Sequence, residues 1–349
     1  MSERLVSEKR IKCLVWDLDQ TLWSGILLEG DAIALRPGVR EALVALDRRG
    51  ILQSVASQND PQRAIEQLAA WGLADYFLHP QIDLAADKVA QVAAIADLLS
   101  FQLAHVAFID DDPAQRAYVA YALPQVTVLE ADQVGELAQM EMFAVERPTE
   151  EARRRREFYR AEVQRQEVER SWRGRRLDFL RHCQTVLALR AAAAQDVPRV
   201  SELIERTNQL NTAARRFGQA DIVGLLDDSD CRLTVARMAD RFGDYGTVGV
   251  LIARRLGREW LIEVLLVSCR AMGRGVGEAL LCHELQQAQT EGQAAIRALY
   301  RQTAYNRAMH MLFVTHGFKR GQEEDGVVTY RHDLGTIPDF PAWLEVRVA

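Results

Sequence analysis

The chain has 349 residues, of which 48% are hydrophobic and 26% are charged, and its formal net charge at pH 7 is −6. This is the composition of an ordinary globular protein, and the length favours two domains. The acidic balance argues against broad nucleic-acid binding, and no apolar run approaches the ~20 residues that cross a bilayer. The charged N-terminus shows no secretory signal. Five scattered cysteines without a C-x-x-C pair predict a reduced, cytoplasmic chain without a structural zinc site.

Residues 1–146 alternate apolar segments typical of buried strands with amphipathic segments typical of helices. The helical segments have boundary residues such as Pro61 near a start and Gly50 and Gly72 at an end. Strands that alternate with helices predict an α/β domain with a parallel sheet covered on both faces. The predicted strands are KCLVWDLD, ILQSVASQN, HVAFIDDD and QVTVLEA, and the predicted helices are REALVALDRRG, PQRAIEQLAAWG and KVAQVAAIADLLS.

Residues 147–182 are strongly charged and poor in apolar residues. Glutamates alternate with the arginines of EARRRREFYRAEVQRQEVERSWRGRR, which favours a long, solvated helix between two domains. A nucleic-acid-binding role for the arginine run is the less favoured alternative. We therefore predict a charged helical linker at 147–182.

Residues 183–349 show a different order of elements, again of the α/β class. The helical segment VPRVSELIERTNQL is followed by three strand-like segments in succession, which predict antiparallel strands. A glycine-rich turn then leads into the helix GEALLCHELQQAQTEG, the strand IRALYR and a last helix that ends near Gly317. The three successive segments are CRLTVARMADRFG, GTVGVLIARRL and EWLIEVLLVS.

Two aspartates stand at the carboxyl end of the first predicted strand, in VWDLDQTLW. Asp17 and Asp19 are two residues apart and so point to the same side of an extended chain. Open α/β sheets bind ligands at this edge, and two close carboxylates call for a cation such as Mg²⁺ between them. Asp17 can then attack phosphorus, while Asp19 passes a proton to the leaving group and later activates water.

Further polar residues follow at the predicted ends of strands and starts of helices. Ser57 closes the second strand, Lys88 opens a helix, and Asp110 and Asp111 close the third strand. A hydroxyl can hold a phosphate oxygen, a lysine supplies fixed positive charge, and a second acidic pair can complete a Mg²⁺ shell. For Asp111 and its neighbour Asp112, the start of a helix is an equal alternative, because DDDP is also a capping pattern.

This series, D-x-D-x-T, a strand-end Ser, a Lys and a strand-end acidic pair, resembles the motifs of the haloacid dehalogenase superfamily. The resemblance implies that Asp17 is the nucleophile and Asp19 the general acid/base. It also implies that Ser57 and Lys88 hold the phosphate, with Asn59 of VASQND beside them. The implied Mg²⁺ ligands are Asp17, Asp19, Asp110 and Asp111.

The gap between the first motif and the next helix, residues 24–36, is too short for an inserted cap domain. The gap between the second and third motifs is also short. The predicted fold of the first domain is therefore a capless haloacid dehalogenase-like Rossmannoid domain. An uncapped site suits a large substrate, or a site covered by another domain.

The segment SCRAMGRGVGEALL carries R-x-x-G-x-G before a helix, and glycines there let the backbone approach a phosphate group. With NRAMHMLFVTHGF further on, it resembles GNAT-type acyltransferases. The predicted fold of the second domain is therefore GNAT-like α/β. The resemblance implies a pantetheine groove formed with Arg270, Gly273, Gly275 and Asn306.

The second half departs from the GNAT pattern at Phe313. The family commonly has a tyrosine there, which protonates the leaving thiolate, and phenylalanine cannot do so. Ordinary acetyl transfer from coenzyme A is therefore in question, although Tyr305 or His316 could substitute. The domain could keep the pantetheine groove without acetylation chemistry.

Nearly the full length resembles the FkbH-like glyceryl transferase/phosphatases of polyketide pathways. That family takes 1,3-bisphosphoglycerate, removes its phosphates and leaves a glyceryl group on the phosphopantetheine thiol of an acyl carrier protein, which in several pathways becomes methoxymalonyl-carrier protein. The segments that carry the resemblance are KCLVWDLDQTLWSG, VASQND, AFIDDDPAQR, ERTNQLN, DRFGDYG, SCRAMGRG and YRQTAYN.

The family uses a cysteine as acyl relay, and Cys269 is the candidate, because it lies at a strand end beside Arg270. A structural role is an equal alternative. Cys13 lies inside the first predicted strand and is expected to be a core residue. Arg241 or Arg301 could bind the distal phosphate through bidentate hydrogen bonds.

Polar residues of three segments are expected to line the groove: Asn208, Gln209 and Asn211 of TNQLN, Asp240, Arg241 and Asp244 of DRFGD, and Arg301, Thr303 and Asn306 of YRQTAYN. Turn and surface roles for these residues and for the two arginines are equally open.

Three functions are compatible with these motifs. The first is an Mg²⁺-dependent glyceryl transferase/phosphatase that acts on an acyl carrier protein. The second is a phosphatase fused to an N-acetyltransferase, against which Phe313 speaks. The third is a carrier-protein docking module with an inactive phosphatase site, which the intact set Asp17, Asp19, Ser57, Lys88 and Asp110 disfavours.

Overall fold

A computed structural model describes residues 10–145, 148–207, 210–212, 217–303 and 306–349. The chain divides into two compact units, Met1–Val163 (unit 1) and Gln164–Ala349 (unit 2). This division falls inside the predicted linker, and the predicted boundaries at 146 and 183 stay predictions. Among the described residues, no helix combines the length and the apolar character needed to span a bilayer.

The described part of unit 1 begins with a strand, and strands alternate with helices after the β2–β3 ribbon, as predicted. Its last helix, α6, extends past the division into unit 2. In chain order the elements are β1 (Cys13–Trp16), β2 (Trp23–Ser24), β3 (Ala34–Leu35), α1 (Val39–Arg48), β4 (Leu52–Ser57), α2 (Pro61–Ala70), β5 (Gln81–Ile82), α3 (Lys88–Leu98), β6 (Val106–Asp110), α4 (Pro113–Ala122), β7 (Thr127–Glu130), α5 (Glu150–Arg153) and α6 (Arg155–Ser171).

A five-stranded parallel sheet in the order β5-β4-β1-β6-β7 forms the centre of unit 1. All four residues of β1 are buried, because helices cover both faces of the sheet. Leu14 and Trp16 join one apolar cluster, and Cys13 and Val15 join the other. The carboxyl ends of β4, β1 and β6 are therefore neighbours along one edge of the sheet.

A short antiparallel ribbon, β2 with β3, is what lies between the first motif and α1. The residues between its strands include a single 3₁₀ turn, Leu27–Glu29. This agrees with the prediction that no cap domain is inserted there.

Helix α6 differs from the predicted solvated helix. Phe158 and Tyr159 are buried, and the guanidinium of the buried Arg155 donates to the carbonyl of Gly50 at 2.8 Å. Arg156 forms an ion pair with Asp47 at 2.9 Å. The prediction was wrong for the first turns of this helix, because its few apolar residues share one face and bury it.

Unit 2 is built on an eight-stranded mixed sheet in the order β13-β14-β12-β11-β10-β9-β8-β15. The predicted antiparallel succession is confirmed in β9, β10 and β11. The elements are α7 (Arg176–His182), β8 (Thr185–Ala191), α8 (Val197–Arg206), α9 (Gln219–Asp227), β9 (Cys231–Asp240), β10 (Gly243–Leu256), β11 (Glu259–Val267), α10 (Val276–Thr290), β12 (Ala295–Arg301), α11 (Arg307–Thr315), β13 (Lys319–Glu324), β14 (Val327–His332) and β15 (Leu344–Val348).

Residues 210–212 fill a gap between the parallel strands β11 and β12. These strands pair with each other only over Glu259–Ile262 and Ala295–Ala298. Beyond that point the main chain of Thr212 bonds to both strands, since its N–H donates to Leu265 at 3.0 Å and its carbonyl accepts from Arg301 at 2.8 Å. The short segment thus satisfies backbone groups that the separating strands would otherwise leave unpaired.

Asn306 locks this arrangement from the start of α11. Its side-chain NH₂ donates to the carbonyls of Asn211 and Arg301 at 2.9 and 2.8 Å. Its side-chain oxygen accepts from the Tyr300 hydroxyl and the Thr303 N–H, both at 2.9 Å. The amide is completely buried and uses both its donors and its acceptor for the fold of unit 2.

The C-terminal segment packs against the amino end of α10. Gly275 precedes that helix with φ +90, and a Cβ atom there would lie 3.0–3.2 Å from Leu344, Pro341 and Trp343. The Trp343 indole N–H donates to the carbonyl of Arg274 at 3.2 Å. The following strand, β15, then pairs in parallel with β8. This strand was not predicted from the sequence.

We expect Asn306→Ala to lower the free energy of unfolding of unit 2 by about 3 kcal/mol, because buried backbone groups lose their partners. Urea unfolding followed by circular dichroism measures this. Arg307→Ala, which changes the exposed next residue of the chain, serves as the control. Equal stability of the two variants would contradict the locking role of Asn306.

Candidate functional site

A buried lysine joins two carboxylates at the carboxyl edge of the unit 1 sheet. The Lys88 ammonium contacts Asp17 Oδ1, lies 3.2 Å from Asp110 Oδ2 and donates to the carbonyl of Ala56 at 2.9 Å. Asp17 follows β1, Asp110 ends β6 and Ala56 is the second-last residue of β4, and these three strands are adjacent. The ammonium reaches all three because Lys88 is the first residue of α3, where Asp87 caps the helix by accepting from the N–H of Ala90 at 2.8 Å.

Asp17 stays in register with the sheet although β1 ends one residue before it. Its N–H donates to the carbonyl of Ile109 at 3.0 Å, so the ladder with β6 continues to this residue. The side chain is buried. The main chain of Asp17 is thus held by the sheet itself rather than by a free loop.

Asp111 and Asp112 have separate roles. Thr21 Oγ1 accepts from the N–H of Asp111 at 2.9 Å and donates to its carboxylate at 3.2 Å. Asp112 caps α4 by accepting from the N–H of Ala114 at 2.8 Å. The two alternatives for this acidic run are therefore both realised, with Asp111 at the site and Asp112 at the helix start.

The carboxylates of Asp17, Asp110 and Asp111 form a cluster that fits a divalent cation. One oxygen of each lies within 4.8 Å of the others. Three carboxylates against the one ammonium of Lys88 leave a formal charge of −2, and hard carboxylate oxygens are the donors that Mg²⁺ prefers. The residues present therefore fit the implied Mg²⁺.

The acid–base properties of the cluster reflect its burial. Burial raises the pKa of Asp17 to about 6, against the lowering effect of Lys88 and with a further raising effect of Asp110. Burial also raises the pKa of Asp110, again against Lys88. In the folded protein, the ionisation of both Asp17 and Asp110 is therefore unfavourable unless a further positive charge lies nearby.

The carboxylate of Asp19 does not join this cluster. Its Oδ1 accepts from the Trp23 indole N–H at 2.7 Å and from the Leu27 N–H at 3.1 Å. Its Oδ2 accepts from the Asn59 side chain at 2.9 Å. These bonds hold the Asp19 carboxylate away from the three clustered oxygens, in contrast to the predicted carboxylate ligand set. The predicted role of Asp19 as general acid/base does not require its carboxylate to bind the metal, and that role stays a prediction.

Ser57 and Asn59 both lie at the carboxyl end of β4 and are buried. The carbonyl of Ser57 accepts from the side chain of Gln91 at 3.0 Å, which anchors this strand end to α3. Asn59 accepts from the N–H of Asp60 and donates to Asp19, so it supports the site from one side. Supporting roles for Thr21, Trp23 and Gln91 were not predicted from the sequence, although Thr21 belongs to the D-x-D-x-T motif itself.

Cys269 lies at the carboxyl end of β11 and is half-buried. The other four cysteines are poor thiolate candidates, because burial raises the pKa of each thiol, to about 11 for Cys231 and Cys282. Cys13 is completely buried in β1, which agrees with the predicted core role. Cys269 follows β11 by two residues, and its role as acyl relay stays a prediction.

The predicted pantetheine residues are engaged within unit 2. The Arg270 side chain is buried and its Nε lies 3.4 Å from the Ser268 hydroxyl. A Cβ atom on Gly273 would lie 2.8 Å from the guanidinium of Arg176, and the C-terminal segment covers Gly275. Asn306 is used entirely in the lock described above. These contacts describe the packing of the four residues, and their role in a pantetheine groove stays a prediction.

Arg241 and Arg301 are both exposed at the edge of the sheet where β9 and β12 end. The guanidinium of Arg241 lies 2.7 Å from the imidazole of His182. Asn208, Gln209 and Tyr305, which the sequence analysis considered as groove or acid residues, lie outside the described residues.

Phe313 is completely buried in α11. Its ring stacks on Tyr330 at 5.5 Å between centroids and packs on Phe318 at 5.3 Å. This position is a core position and supplies no proton to a thiolate.

Comparisons with known proteins returned solved structures but no family model and no curated protein. The ribosomal-protein-S18-alanine N-acetyltransferase from Escherichia coli is 15% identical with a TM-score of 0.35, over 44% of this chain and 97% of the acetyltransferase. The paia N-acetyltransferase from Thermoplasma acidophilum, in complex with coenzyme A, is 13% identical with a TM-score of 0.36, over 42% of this chain and 98% of that chain.

A third solved structure is the N-terminal part of BF1531 from Bacteroides fragilis, which contains a phosphatase domain complexed with Mg. It is 25% identical with a TM-score of 0.33, over 39% of this chain and 42% of that chain. At these TM-scores the likenesses carry no argument about activity. The α/β class predicted for both halves is confirmed: a unit with a five-stranded parallel sheet precedes a unit with an eight-stranded mixed sheet.

Asp17 should make stability depend on pH when divalent cations are removed. A pKa raised from 3.8 to about 6 gives stability that is present at low pH and is lost as the pH rises through about 6. We expect a loss of roughly 1–3 kcal/mol between about pH 4 and pH 7 in EDTA, and recovery on addition of Mg²⁺. Thermal unfolding at several pH values measures both.

Asp17→Asn is the control, because it removes the titrating group and should flatten this part of the profile. An identical pH profile in wild type and variant would contradict the assignment of the shift to Asp17. Stability independent of Mg²⁺ at the higher pH would contradict the cation site.

Proposed function

We propose that the chain transfers a glyceryl group from 1,3-bisphosphoglycerate, with dephosphorylation, to the phosphopantetheine thiol of an acyl carrier protein, supplying a glyceryl unit for polyketide biosynthesis. The convergence of Asp17, Lys88, Asp110 and Asp111 at one sheet edge carries the phosphoryl-transfer part of this proposal. The motif resemblance through both units supports the glyceryl-transfer part.

In the phosphoryl step, a carboxylate oxygen of Asp17 attacks phosphorus and the bond from phosphorus to the leaving oxygen breaks. Lys88 stabilises the negative charge that gathers between Asp17 and the phosphoryl group. Asp19 gives its proton to the leaving oxygen, which departs as an alcohol. A phosphoryl-Asp17 intermediate remains.

The second half of the reaction restores the enzyme. Asp19, now a carboxylate, takes a proton from water as that water attacks phosphorus. The bond between phosphorus and Asp17 breaks, so inorganic phosphate leaves and Asp19 is protonated again. When bound by Asp17, Asp110 and Asp111, Mg²⁺ would supply positive charge for the phosphoryl oxygens.

The chemistry of the thioester fixes which phosphate Asp17 removes in this proposal. A thiolate attacks the carbonyl carbon of the acyl phosphate, and the bond to the phosphate oxygen breaks, so that phosphate leaves in the acyl transfer itself. Hydrolysis of the acyl phosphate beforehand would destroy the activated carbonyl. Asp17 therefore acts on the distal phosphate ester, whose leaving group is a primary alkoxide.

Cys269 is the proposed acyl relay of unit 2. Its thiolate would take the acyl group with loss of phosphate, and the pantetheine thiolate would then attack the enzyme thioester and release the cysteine. The alternative function, a phosphatase fused to an N-acetyltransferase, is not favoured, because the buried Phe313 offers no acid for a leaving thiolate.

We expect Asp17→Asn to abolish phosphate release from the distal ester while the fold is kept, because no nucleophile remains. The chain is incubated with Mg²⁺, 1,3-bisphosphoglycerate made in situ and a phosphopantetheinylated carrier protein, and intact-protein mass spectrometry follows the carrier. Wild type should add a glyceryl group, and the variant a group heavier by one phosphoryl unit. The exposed Asp97→Asn on α3 is the control. A carrier mass gain that is identical in wild type and Asp17→Asn contradicts the role of Asp17.

We expect Cys269→Ala to remove an acyl adduct from the enzyme and to lower transfer to the carrier by at least about a hundredfold, since covalent catalysis is lost. The same mass spectra report the enzyme. Cys231→Ala, half-buried as well, is the matched control and should keep the adduct. An adduct that survives in Cys269→Ala would exclude this cysteine as the relay.

A further inference from the structure

The carboxylate of Asp19 is held by three N–H donors from separate parts of unit 1. Trp23 Nε1 and the main chain of Leu27 donate to Oδ1 at 2.7 and 3.1 Å, and Asn59 Nδ2 donates to Oδ2 at 2.9 Å. Trp23 belongs to β2, Leu27 begins the 3₁₀ turn that follows, and Asn59 follows β4. Both oxygens of the carboxylate therefore accept hydrogen bonds from the protein.

Both side-chain donors are themselves rigidly held. Trp23 is completely buried and meets Trp71 edge-on at 5.7 Å between ring centroids. Asn59 is also completely buried, and its side-chain oxygen accepts from the N–H of Asp60 at 2.9 Å. Neither donor can follow the carboxylate if it turns, so the three bonds fix both its position and its plane.

The distribution of the donors distinguishes the two oxygens of Asp19. A carboxylate has about four acceptor sites, and two donors already meet Oδ1 while one meets Oδ2. The remaining acceptor site on Oδ2 is therefore the better place for a proton that passes to a leaving group. A carboxylate that turned about its bond would present the wrong oxygen or the wrong direction.

We propose that Trp23 and Asn59 are positioning residues that aim Oδ2 of Asp19 at the leaving oxygen. The inference rests on the proposed phosphoryl transfer, in which Asp19 protonates that oxygen. The Trp23 indole and the Asn59 amide, both outside the acidic cluster, fix the direction in which Oδ2 points. The effect should depend on the leaving group, because an alkoxide needs the proton and a nitrophenolate does not.

The test compares Trp23→Phe with wild type on two phosphate esters, 3-phosphoglycerate and 4-nitrophenyl phosphate. Phenylalanine keeps most of the buried ring but has no N–H. We expect kcat/KM for 3-phosphoglycerate to fall about tenfold or more through kcat, since general acid–base catalysis contributes 10²–10⁴ in rate. The value for 4-nitrophenyl phosphate should change less than about threefold.

Trp16→Phe is the matched control in the same unit. Its indole N–H donates to the side chain of Gln53 at 2.7 Å in a buried place, so this variant also loses one buried indole bond. It should leave the ratio of the two kcat/KM values unchanged. Asn59→Asp, which replaces the donor by a second carboxylate, should shift the ratio in the same direction as Trp23→Phe.

A uniform loss on both esters in Trp23→Phe, or the same ratio change in Trp16→Phe, would overturn the positioning role. If wild type releases distal phosphate from neither ester and also not from 1,3-bisphosphoglycerate with the carrier protein, the proposed phosphoryl transfer fails. The positioning contact is then decided by the indole N–H resonances in NMR spectra of wild type and Asp19→Asn. A shift of the Trp23 resonance with an unchanged Trp16 resonance supports the contact, and an unchanged Trp23 resonance overturns it.

Discussion

The contact of the Lys88 ammonium with two buried carboxylates organises the site in unit 1. Asp17 and Asp110 follow or end neighbouring strands, and without positive charge between them their burial would be strongly unfavourable. One ammonium compensates only part of the charge of Asp17, Asp110 and Asp111. Such an arrangement stabilises a fold less well than apolar residues of similar size would. It does provide negative charge for a bound cation, which indicates a functional site.

The fold provides this contact through strand order more than through any single loop. β4, β1 and β6 are adjacent and parallel, so their carboxyl ends supply a carbonyl and two carboxylates at one level. The Asp87 cap then starts α3 where Lys88 can reach all three. Asp19 lies in the loop after β1, at the same edge of the sheet. Its carboxylate accepts hydrogen bonds from three N–H donors and is not part of the acidic cluster.

The sequence located the strand ends well, because they are local features. Apolar runs that end in Asp17, Ser57 and Asp110 mark β1, β4 and β6, and the helix starting at Lys88 follows from the chain just before it. Contacts between residues that lie far apart in the sequence could not be predicted in this way. The environment of Asp19 depends on Asn59, 40 residues away, and the lock at Asn306 depends on Asn211, 95 residues away. β15 was missed because its partner, β8, lies far back in the chain.

The two units differ in how far the hydrogen bonds and charges of their motif residues are balanced by other groups of the protein. In unit 2, Asn306 has its partners within the fold, and the positive φ of Gly275 together with the packing of Trp343 accounts for that glycine. In unit 1, the buried carboxylates of Asp17 and Asp110 share the one ammonium of Lys88, and the exposed Asp111 adds a third carboxylate beside them. Residues kept at an energetic disadvantage indicate function more strongly than residues that the fold fully explains. The proposed phosphoryl transfer therefore rests on the acidic cluster and Lys88, while the proposed acyl transfer rests on the resemblance of the motifs and on the position of Cys269.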